Sequence, residues 1–535
     1  MSVGKTILLY FKKHKFKALL IVLMILSVTL VALLPAQILR VIVDDTIFNS
    51  KVKKLLIYSI AYSIVFLLIG IITFIKDIVM LSTSQEITAN IRCNMMKHVH
   101  KMNYNSLVNT DSGTREAYFN NDVNSINELF TSGIVNMCTD LFKMIGIVVT
   151  IIIYSWLFGV IVLVIIPILV LFTSFVRKRM MKAQLKTKSL EGNVNKVLLE
   201  NVENIEQIKV NKAENYAKDK YSIILQNHFK TAQASNFYDA IFSPIMQIVR
   251  NIVVVFILLI SGFNHNIFGM SVGMIISSIS LITDLFTPIE ALGMEIQTIQ
   301  KSLASLKRIN QFFDIPVDDK KSIDYLNNNI SIKFNNVSFG YSDKLIIKNF
   351  NLQISNGERI VFHGPSGAGK STLMKLAMGL IKPNLGEVLI GDIPAYELSD
   401  EARSNLFSIV YQDPFFTDGT ILDEIRLKDQ RISKEQVRQA LNKVGLDYIT
   451  NLDEHLISSS YSSGELTLFN IARVIARNTK IVFLDEMNAK IDPVTAKRII
   501  KLIDENTKDK IVISINHYGS VLDGAKVINI NKYNS

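Results

Sequence analysis

Cysteine is scarce in this chain of 535 residues, which contains only Cys93 and Cys138. The two do not form a CxxC pair, and no histidine stands near either one at the spacing of a metal site. Disulfide frameworks and zinc sites both need several such ligands in recognisable patterns. We therefore expect neither a disulfide framework nor a zinc site in this protein.

Acidic residues are fewer than basic ones, with 47 Asp and Glu against 58 Lys and Arg, for a formal net charge of +11. Such a balance can indicate a nucleic-acid-binding protein, which gathers its basic residues on one face. Here the Lys and Arg residues gather beside long apolar runs instead. That arrangement is typical of membrane proteins, in which flanking positive charges set the orientation. We therefore expect a membrane environment and no nucleic-acid partner.

Long runs of Ile, Leu, Val and Phe fill the first half of the chain, whereas apolar and polar residues mix from about residue 332 onward. A helix of about 20 residues is long enough to cross the hydrocarbon of a bilayer. Six segments have that length, at residues 18–39, 55–75, 134–157, 158–176, 241–262 and 270–290. The first is too long for the apolar part of a signal peptide, so we interpret it as a membrane anchor.

Positive charge is absent from two of the connections between these spans. No Lys or Arg occurs at residues 263–269 or around residue 157, whereas residues 177–240 carry twelve. Positively charged connections stay in the cytoplasm. We therefore predict a multi-pass plasma-membrane protein with its N-terminus, its long connections and everything after the sixth span in the cytoplasm. Lys51, Lys53 and Lys54 are an exception, because they fall on the predicted outer side.

The two long connections, at residues 82–133 and 177–240, keep the apolar spacing of a helix. In the second, apolar residues recur at Val197, Val202 and Ile205. This period predicts helices that extend well beyond the membrane.

A glycine-rich run, HGPSGAGKST, occupies residues 363–372 between a short apolar strand and the helical stretch LMKLAMGL. A strand, a Gly-x4-Gly-Lys-Ser loop and a helix are the context of a phosphate-binding P-loop. Its backbone N–H groups and the helix N-terminus attract phosphate, Lys370 reaches the β- and γ-phosphates, and Ser371 holds Mg²⁺. The predicted ATP-binding residues of this loop are Gly364, Pro365, Ser366, Gly367, Ala368, Gly369, Lys370, Ser371 and Thr372.

A second motif, KIVFLDE at residues 480–486, is an apolar run that ends in two carboxylates. Such a run predicts a buried parallel strand that delivers acidic side chains to the carboxyl edge of its sheet. We expect Asp485 to bind Mg²⁺ and Glu486 to act as general base toward water. The chain thus predicts a transmembrane domain at residues 1–312, a linker at 313–330 and an α/β P-loop nucleotide-binding domain at 331–535.

Further motifs resemble those of ABC transporters of the exporter type, and the resemblance covers nearly the whole chain. The segment YQDP is similar to the Q-loop, which places Gln412 where the family senses Mg²⁺ and faces the membrane domain. Tyr341 matches the aromatic residue that stacks on adenine. The segment NAKID resembles the D-loop and ends at Asp492, and His517 stands where the family places a histidine that contacts the γ-phosphate.

The segment YSSGE at residues 461–465 is similar to the family signature LSGGQ, which caps the γ-phosphate bound by the opposite subunit. Ser462 and Gly464 keep the family's phosphate donors. Ser463 adds a side chain where the family has glycine, and Glu465 adds a negative charge near an anion. We expect a working but slow site. The segment is also compatible with a helix N-cap that has an acidic first turn.

The resemblance implies a half-transporter that works as a dimer, either of identical chains or with a related chain. ATP, with Mg²⁺, clamps two nucleotide domains together, and hydrolysis releases them to drive export. Short coupling helices are implied near residues 104–114 and 204–212. The substrate classes left open are a peptide, a lipid and a hydrophobic small molecule.

Two other functions remain open from the sequence. The altered signature favours a nucleotide-gated channel or a regulatory subunit in which ATP turnover is incidental. The basic charge favours a membrane-anchored nucleic-acid ATPase, but six spans exceed what anchoring requires. Charged residues within the spans, Arg250, Asp284 and Glu290, either line a cavity or reach toward the membrane surface.

Overall fold

The computed structural model describes most of the chain. The described residues are 3–47, 52–102, 104–109, 112–263, 270–318, 323–325, 330–341, 345–486, 493–515 and 522–533. The chain divides into two compact units. The first, which we call the helical unit, comprises Met1–Lys101 and Thr110–Ile315, and the second, the sheet unit, comprises Met102–Asn109 and Pro316–Ser535.

Long α-helices dominate the chain up to residue 313. They are α1 (Val3–Lys13), α2 (Lys15–Ala32), α3 (Leu34–Val41), α4 (Val52–Val99), α5 (Tyr104–Asn109), α6 (Ser112–Ala117), α7 (Val123–Glu128), α8 (Ile134–Tyr154), α9 (Trp156–Glu203), α10 (Ile205–Val210), α11 (Glu214–Phe263) and α12 (Val272–Phe313). Segments of π-helix at Ile42–Ile47, Tyr118–Asp122 and Leu129–Gly133 lie among them.

Six helical segments of the described chain are long and apolar enough to cross a membrane, which confirms the predicted number. They are Lys15–Asp45, Lys53–Val99, Gly113–Tyr154, Trp156–Glu203, Glu214–Leu259 and Val272–Phe313. Most are about twice as long as a bilayer requires. The prediction that residues 177–240 continue as helix is also confirmed, because α9 runs on to Glu203 and α11 begins at Glu214.

The helical unit exposes apolar side chains on the outside of its helices. In α4, Leu56, Leu67 and Phe74 are all more than 60% exposed. Only 6% of the most apolar stretch of this helix is buried. A helix that is apolar on every side is stable only where its surroundings are apolar. The unit also has a core of its own, in which Phe158 of α9 and Phe286 of α12 are almost fully buried.

The sheet unit contains two β-sheets. Its strands are β1 (Ile332–Phe339), β2 (Ile347–Ile354), β3 (Arg359–His363), β4 (Leu385–Ile390), β5 (Ile393–Pro394), β6 (Phe407–Val410), β7 (Ile481–Asp485), β8 (Ile511–Ile515) and β9 (Lys526–Asn529). An antiparallel sheet has the order β2-β1-β4-β5, and a parallel sheet has the order β6-β7-β8-β3-β9. This confirms the predicted α/β class.

Helices pack on both faces of the parallel sheet. They are α13 (Lys370–Ala377), α14 (Asp400–Leu406), α15 (Ile421–Arg426), α16 (Lys434–Val444), α17 (Ser463–Arg477) and α18 (Pro493–Asn506). One core joins the two sheets to α13 around Phe334, Phe350 and Phe362. A second core, around Val437 and Phe469, joins α15, α16 and α17 to the other face of the parallel sheet.

The short helix α5 belongs to the sheet unit although it precedes most of the helical unit in sequence. Met102, just before it, forms an antiparallel bridge with Val317. Tyr104 packs on the first core of the sheet unit, and the Lys375 Nζ lies 5.4 Å from the centre of its ring. The family resemblance implied a coupling helix in this part of the chain.

Candidate nucleotide-binding site

The glycine-rich run folds as a loop between β3 and α13. Gly367 and Gly369 adopt left-handed backbone conformations, with φ of +83° and +88°. A Cβ atom on Gly369 would also lie 3.0 Å from Ile346 Cγ2 and 3.1 Å from Ile347 Cγ1. Glycine is therefore needed here both for the backbone conformation and for the space. Gly369 is the N-cap of α13, so the loop delivers the first N–H groups of that helix to one place.

The Lys370 side chain lies inside this loop, and only 5% of the residue is exposed. Its Nζ donates hydrogen bonds to the backbone oxygens of Gly364 and Pro365, each at 2.9 Å. Burial lowers the pKa of Lys370, while the negative charges of Glu486 and Asp485 oppose that shift. The ammonium group is thus held at the centre of the loop, within electrostatic range of both carboxylates.

The remaining loop residues differ in exposure. Ala368 and Thr372 are buried, whereas Pro365, Ser366 and Ser371 are exposed. The Thr372 hydroxyl lies 3.5 Å from the hydroxyl of Tyr341. Tyr341 is 46% exposed and its ring packs edge-on against Phe339, with 5.1 Å between ring centres. The predicted adenine-stacking residue therefore lies directly beside the P-loop helix.

The two carboxylates of the second motif stand at the end of β7. Asp485 is its last residue, and Glu486 donates its backbone N–H to the Ile515 oxygen of β8 at 3.2 Å. Burial and the neighbouring Glu486 charge both raise the pKa of Asp485, whereas the cations Lys375 and Lys370 lower it. Glu486 has a left-handed backbone with φ of +42°, which is uncommon for a residue other than glycine. The predicted general base therefore has an unusual backbone conformation at the end of β7.

The other predicted residues follow strands of the same sheet. Gln412 is exposed and lies in the loop after β6, which is the neighbour of β7. Asp492 and His517 lie outside the described residues, so their predicted roles in the D-loop and at the γ-phosphate remain predictions. β8 ends at Ile515, two residues before His517.

The signature segment begins helix α17, with Ser462 as its N-cap. Ser462 Oγ accepts a hydrogen bond from the Glu465 N–H at 3.2 Å, and the Glu465 carboxylate accepts one from the Ser462 N–H at 2.9 Å, which is a capping box. The Ser462 hydroxyl also donates to that carboxylate at 2.8 Å. The predicted N-cap is confirmed, and it engages the serine that the family uses as a phosphate donor.

Sequence analysis missed Tyr448, which holds Glu465 from outside the signature. The Tyr448 hydroxyl donates a hydrogen bond of 2.6 Å to the carboxylate. This bond, followed by those from Ser462, lowers the pKa of Glu465. Burial and the bond to Glu465 raise the pKa of Tyr448 to about 12. Glu465 therefore stays ionised at neutral pH. Tyr448 and Glu465 are 17 positions apart and lie on either side of a loop, so no local sequence pattern indicates their contact.

A buried ion pair that the sequence does not reveal joins α15 to the signature helix and also anchors the loop before α15. Glu424 is 2% exposed and accepts a hydrogen bond of 2.8 Å from Arg473 of α17. It also accepts from the backbone N–H groups of Thr417 at 2.9 Å and Gly419 at 3.1 Å. Removal of either partner would leave a buried charge, so this pair fixes the loop to the helix.

Comparison with known proteins identifies the family of this chain. Residues 18–289 match the family model described as ABC transporter transmembrane region, and residues 347–489 match the one described as ABC transporter. The chain belongs to the ABC transporter family. It has the half-transporter arrangement, with one membrane-spanning part and one ABC-type ATPase domain in a single chain. The family prediction and the predicted class of ATP hydrolase coupled to transport are therefore confirmed.

Similar proteins include exporters and flippases. The uncharacterized ABC transporter ATP-binding protein YknV of Bacillus subtilis (strain 168) is 25% identical over 462 residues, or 83% of this chain and 76% of YknV. The ATP-dependent lipid A-core flippase of Syntrophus aciditrophicus (strain SB) is 23% identical over 492 residues, or 90% and 82% of the two chains. A solved structure of a bacterial Atm1-family ABC exporter with ATP bound has a TM-score of 0.77 at 20% identity, over 96% of this chain and 93% of that one.

Substitution of Lys370 by Ala is expected to abolish ATP hydrolysis by this ABC transporter. It should also weaken ATP binding by about 2 kcal/mol, because it removes a charge-assisted contact from a partly dry site. Phosphate release and equilibrium nucleotide binding measure the two effects. Lys382→Ala, which removes an exposed lysine outside the loop, is the matched control. Hydrolysis at the parent rate in Lys370→Ala would show that the loop has been assigned wrongly.

Substitution of Glu465 by Gln is expected to raise ATPase activity or lower the ATP concentration required. The Glu465 charge would repel a phosphate at the helix N-terminus. The effect of its loss should be a few-fold, because a charge at that position changes the interaction free energy by about 0.3–1 kcal/mol. Gln also forms capping boxes, so the helix start is preserved while the charge is lost.

Tyr448→Phe is the control for that experiment, because it removes one hydrogen bond from Glu465 and keeps the carboxylate charge. It should not reproduce the gain in activity. Unchanged kinetics in Glu465→Gln would mean that the carboxylate does not oppose a phosphate at the signature.

Proposed function

We propose that this chain is one half of a dimeric exporter that uses ATP to move a substrate across the plasma membrane. The observation that carries the proposal is the convergence of Lys370, Asp485 and Glu486. Their charges influence one another at one edge of the parallel sheet, in a chain that also has six apolar helices. A buried lysine in a glycine-rich loop, opposite two carboxylates, suits phosphoryl transfer to water.

In this proposal each residue of the site has a separate role. The N–H groups of the P-loop and Lys370 bind the β- and γ-phosphates, and Tyr341 stacks on adenine. Glu486 accepts a proton from the attacking water as general base. Gln412, Asp492 and His517 take the Q-loop, D-loop and γ-phosphate roles that the family resemblance implies.

The residues around the P-loop suit Mg²⁺, which prefers hard oxygen ligands. Ser371 offers an exposed hydroxyl in the first turn of α13, Asp485 offers a carboxylate at the end of β7, and Gln412 offers an amide oxygen from the next loop. When bound, the ion neutralises charge on the phosphates. The raised pKa of Asp485, caused by burial beside Glu486, supports this role, because a cation there would offset the crowding of negative charge.

A complete site in this proposal requires two copies of the sheet unit. The signature donors Ser462 and Gly464 of one copy cap the γ-phosphate on the P-loop of the other. ATP then stabilises the closed pair because it makes contacts that the open pair lacks, and hydrolysis removes them. The partner is a second identical chain or a related half-transporter.

We place the N-terminus and the sheet unit in the cytoplasm, because the twelve basic residues of residues 177–240 favour that side. The transported substrate is a peptide, a lipid or a hydrophobic small molecule. Among these, a lipid is supported by relatives that are named lipid A-core flippases.

A nucleotide-gated channel or regulatory subunit is the second candidate. The observation in its favour is the bond between the Ser462 hydroxyl and Glu465, because that donor must be released before it can bind a phosphate. Substrate flux in liposomes separates the two functions. An exporter moves its substrate against a concentration gradient when it hydrolyses ATP. A channel never moves substrate against the gradient.

Glu486→Gln tests the coupling of ATP to the membrane helices. The substitution keeps the size of the side chain and removes the base, so ATP should bind without being hydrolysed. Spin labels on a cysteine introduced at Asn204, which is exposed at the end of α9, should then lie closer together across the dimer with ATP than without it. Cys93 is exposed, so it and Cys138 are replaced first.

The double variant Lys370→Ala, Glu486→Gln is the control, because it lacks the lysine that binds the phosphates. It should show no ATP-dependent change in the distance between the labels. If ATP binds to Glu486→Gln and the distance stays the same, ATP does not drive the helices and the regulatory function is favoured.

A further inference from the structure

A cavity of about 400 Å³ lies between α9 and α12 of the helical unit. Its lining comes from residues 170–184 and 289–300, so it begins where the fourth and sixth predicted spans end and follows both helices beyond them. Binding sites for small molecules have volumes of about 300–1,000 Å³. The cavity is formed wholly by the helical unit and shares no residue with the nucleotide-binding site.

The lining is positively charged and polar on one part of its surface. Arg177 and Lys178 both contribute to it, and no carboxylate side chain does among the described residues. The amides of Gln297 and Gln300 also line it, as does Gln184, whose Nε2 already donates to Asp239 at 3.0 Å. Such a surface can bind an anion with direct ion pairs and with hydrogen bonds from neutral donors.

Arg177 is held in place and still has a donor to spare. Its Nη2 donates to the backbone oxygen of Glu290, and its guanidinium carbon lies 5.1 Å from the centre of the Phe242 ring. Its Nε is buried and has no acceptor among the residues that the structure describes. A buried N–H without a partner is costly, and in native proteins such a group usually has a specific explanation.

Gly293 leaves the space that Arg177 occupies. A Cβ atom at this position would lie 2.4 Å from Arg177 Cδ and 3.0 Å from its Nε. Any other residue would therefore displace the arginine from the cavity wall. The glycine on α12 thus allows the arginine on α9 to lie in the cavity wall.

Nearby carboxylates do not pair with Arg177. Glu290 and Glu295 lie within electrostatic range of it, but neither forms an ion pair with it in the described structure. The guanidinium therefore has no carboxylate partner among the described residues and remains able to bind an external anion.

The rest of the lining is apolar and adaptable. Met180 and Met181 contribute flexible thioether side chains, and Ile289, Leu292 and Ile296 face them from α12. Methionine-rich surfaces accommodate apolar groups of varied shape. The cavity therefore combines a cationic end with an apolar wall, near the predicted end of the membrane spans.

We infer that this cavity binds an anionic amphipath, a molecule with a phosphate or carboxylate head and an apolar chain, and that Arg177 determines the preference for the negative head. The inference rests on the proposed exporter function, because the ligand would be the transported substrate. The same chemistry occurs in an anionic membrane lipid and in a soluble amphipath.

Photolabelling of the full-length protein tests this site. The protein is placed in phosphatidylcholine nanodiscs and labelled with an alkyl phosphate that carries a diazirine in its chain, and the labelled residues are mapped by mass spectrometry. Labelling should concentrate in residues 170–184 and 289–300. An alcohol and a trimethylammonium compound with the same chain should label them on the order of tenfold less, as expected when a charge-assisted hydrogen bond worth about 1.4 kcal/mol is missing.

Arg177→Gln should reduce labelling by the alkyl phosphate to the level of the alcohol. Arg179→Gln is the matched control, because that neighbouring guanidinium lies 5.0 Å from the Phe175 ring and does not line the cavity. Nucleotide binding reports that each variant is folded. If Arg177→Gln does not fold, Gly293→Ala replaces it, since it keeps the charge and displaces the arginine.

Equal labelling by the three head groups, or equal labelling of Arg177→Gln and Arg179→Gln, would overturn the inference. Competition by diacyl phosphatidic acid would identify a lipid as the source of the anion, and competition by a soluble alkyl phosphate alone would identify a free amphipath; both support the site.

Export is judged separately. A labelled cavity without stimulated ATPase activity would contradict export alone, whereas substrate-stimulated ATPase without head-group preference would contradict this site alone.

Discussion

The parallel pairing of β3, β8 and β7 fixes where Lys370, Asp485 and Glu486 lie in the sheet unit. Because parallel strands all end at the same edge, the loop after β3 brings Lys370 to the place where β7 delivers Asp485 and Glu486. β6 joins the same edge and adds Gln412 in its following loop. A shift of one strand would therefore separate the lysine from the acids.

A second constraint operates at the signature, where one residue serves two purposes. The capping box that starts α17 uses Ser462 and Glu465, and the same serine is the proposed donor to a phosphate. Tyr448 keeps the carboxylate in place from across a loop. The helix is therefore well capped in the single chain, and phosphate binding must compete with an internal carboxylate. This competition is the physical reason for which we expect turnover to be slow.

Sequence alone predicted the parts that depend on local pattern. The six spans follow from apolar length, and the P-loop from glycine spacing between a strand and a helix. The contacts that hold the nucleotide-binding site and the helical-unit cavity together were not predictable, because they join residues distant in sequence. Glu424 with Arg473, Tyr448 with Glu465, and Arg177 with Gly293 are such contacts, and each looks ordinary in its own segment. The D-loop and His517 stay predictions, because they lie outside the described residues.

The central claim is that ATP is hydrolysed between two chains, with the P-loop of one facing the signature of the other. Mixed dimers of a Lys370→Ala chain and a Gly464→Tyr chain, isolated with two different affinity tags, test it most directly. Among the described residues, a Cβ at Gly464 meets only Ser462 Oγ, at 3.9 Å, so we expect a bulky side chain to fit its own chain but to block an approaching partner. One site of the mixed dimer then combines an intact P-loop with an intact signature. We predict that the mixed dimer hydrolyses ATP while neither variant does so alone. An inactive mixed dimer that still binds ATP would contradict the account.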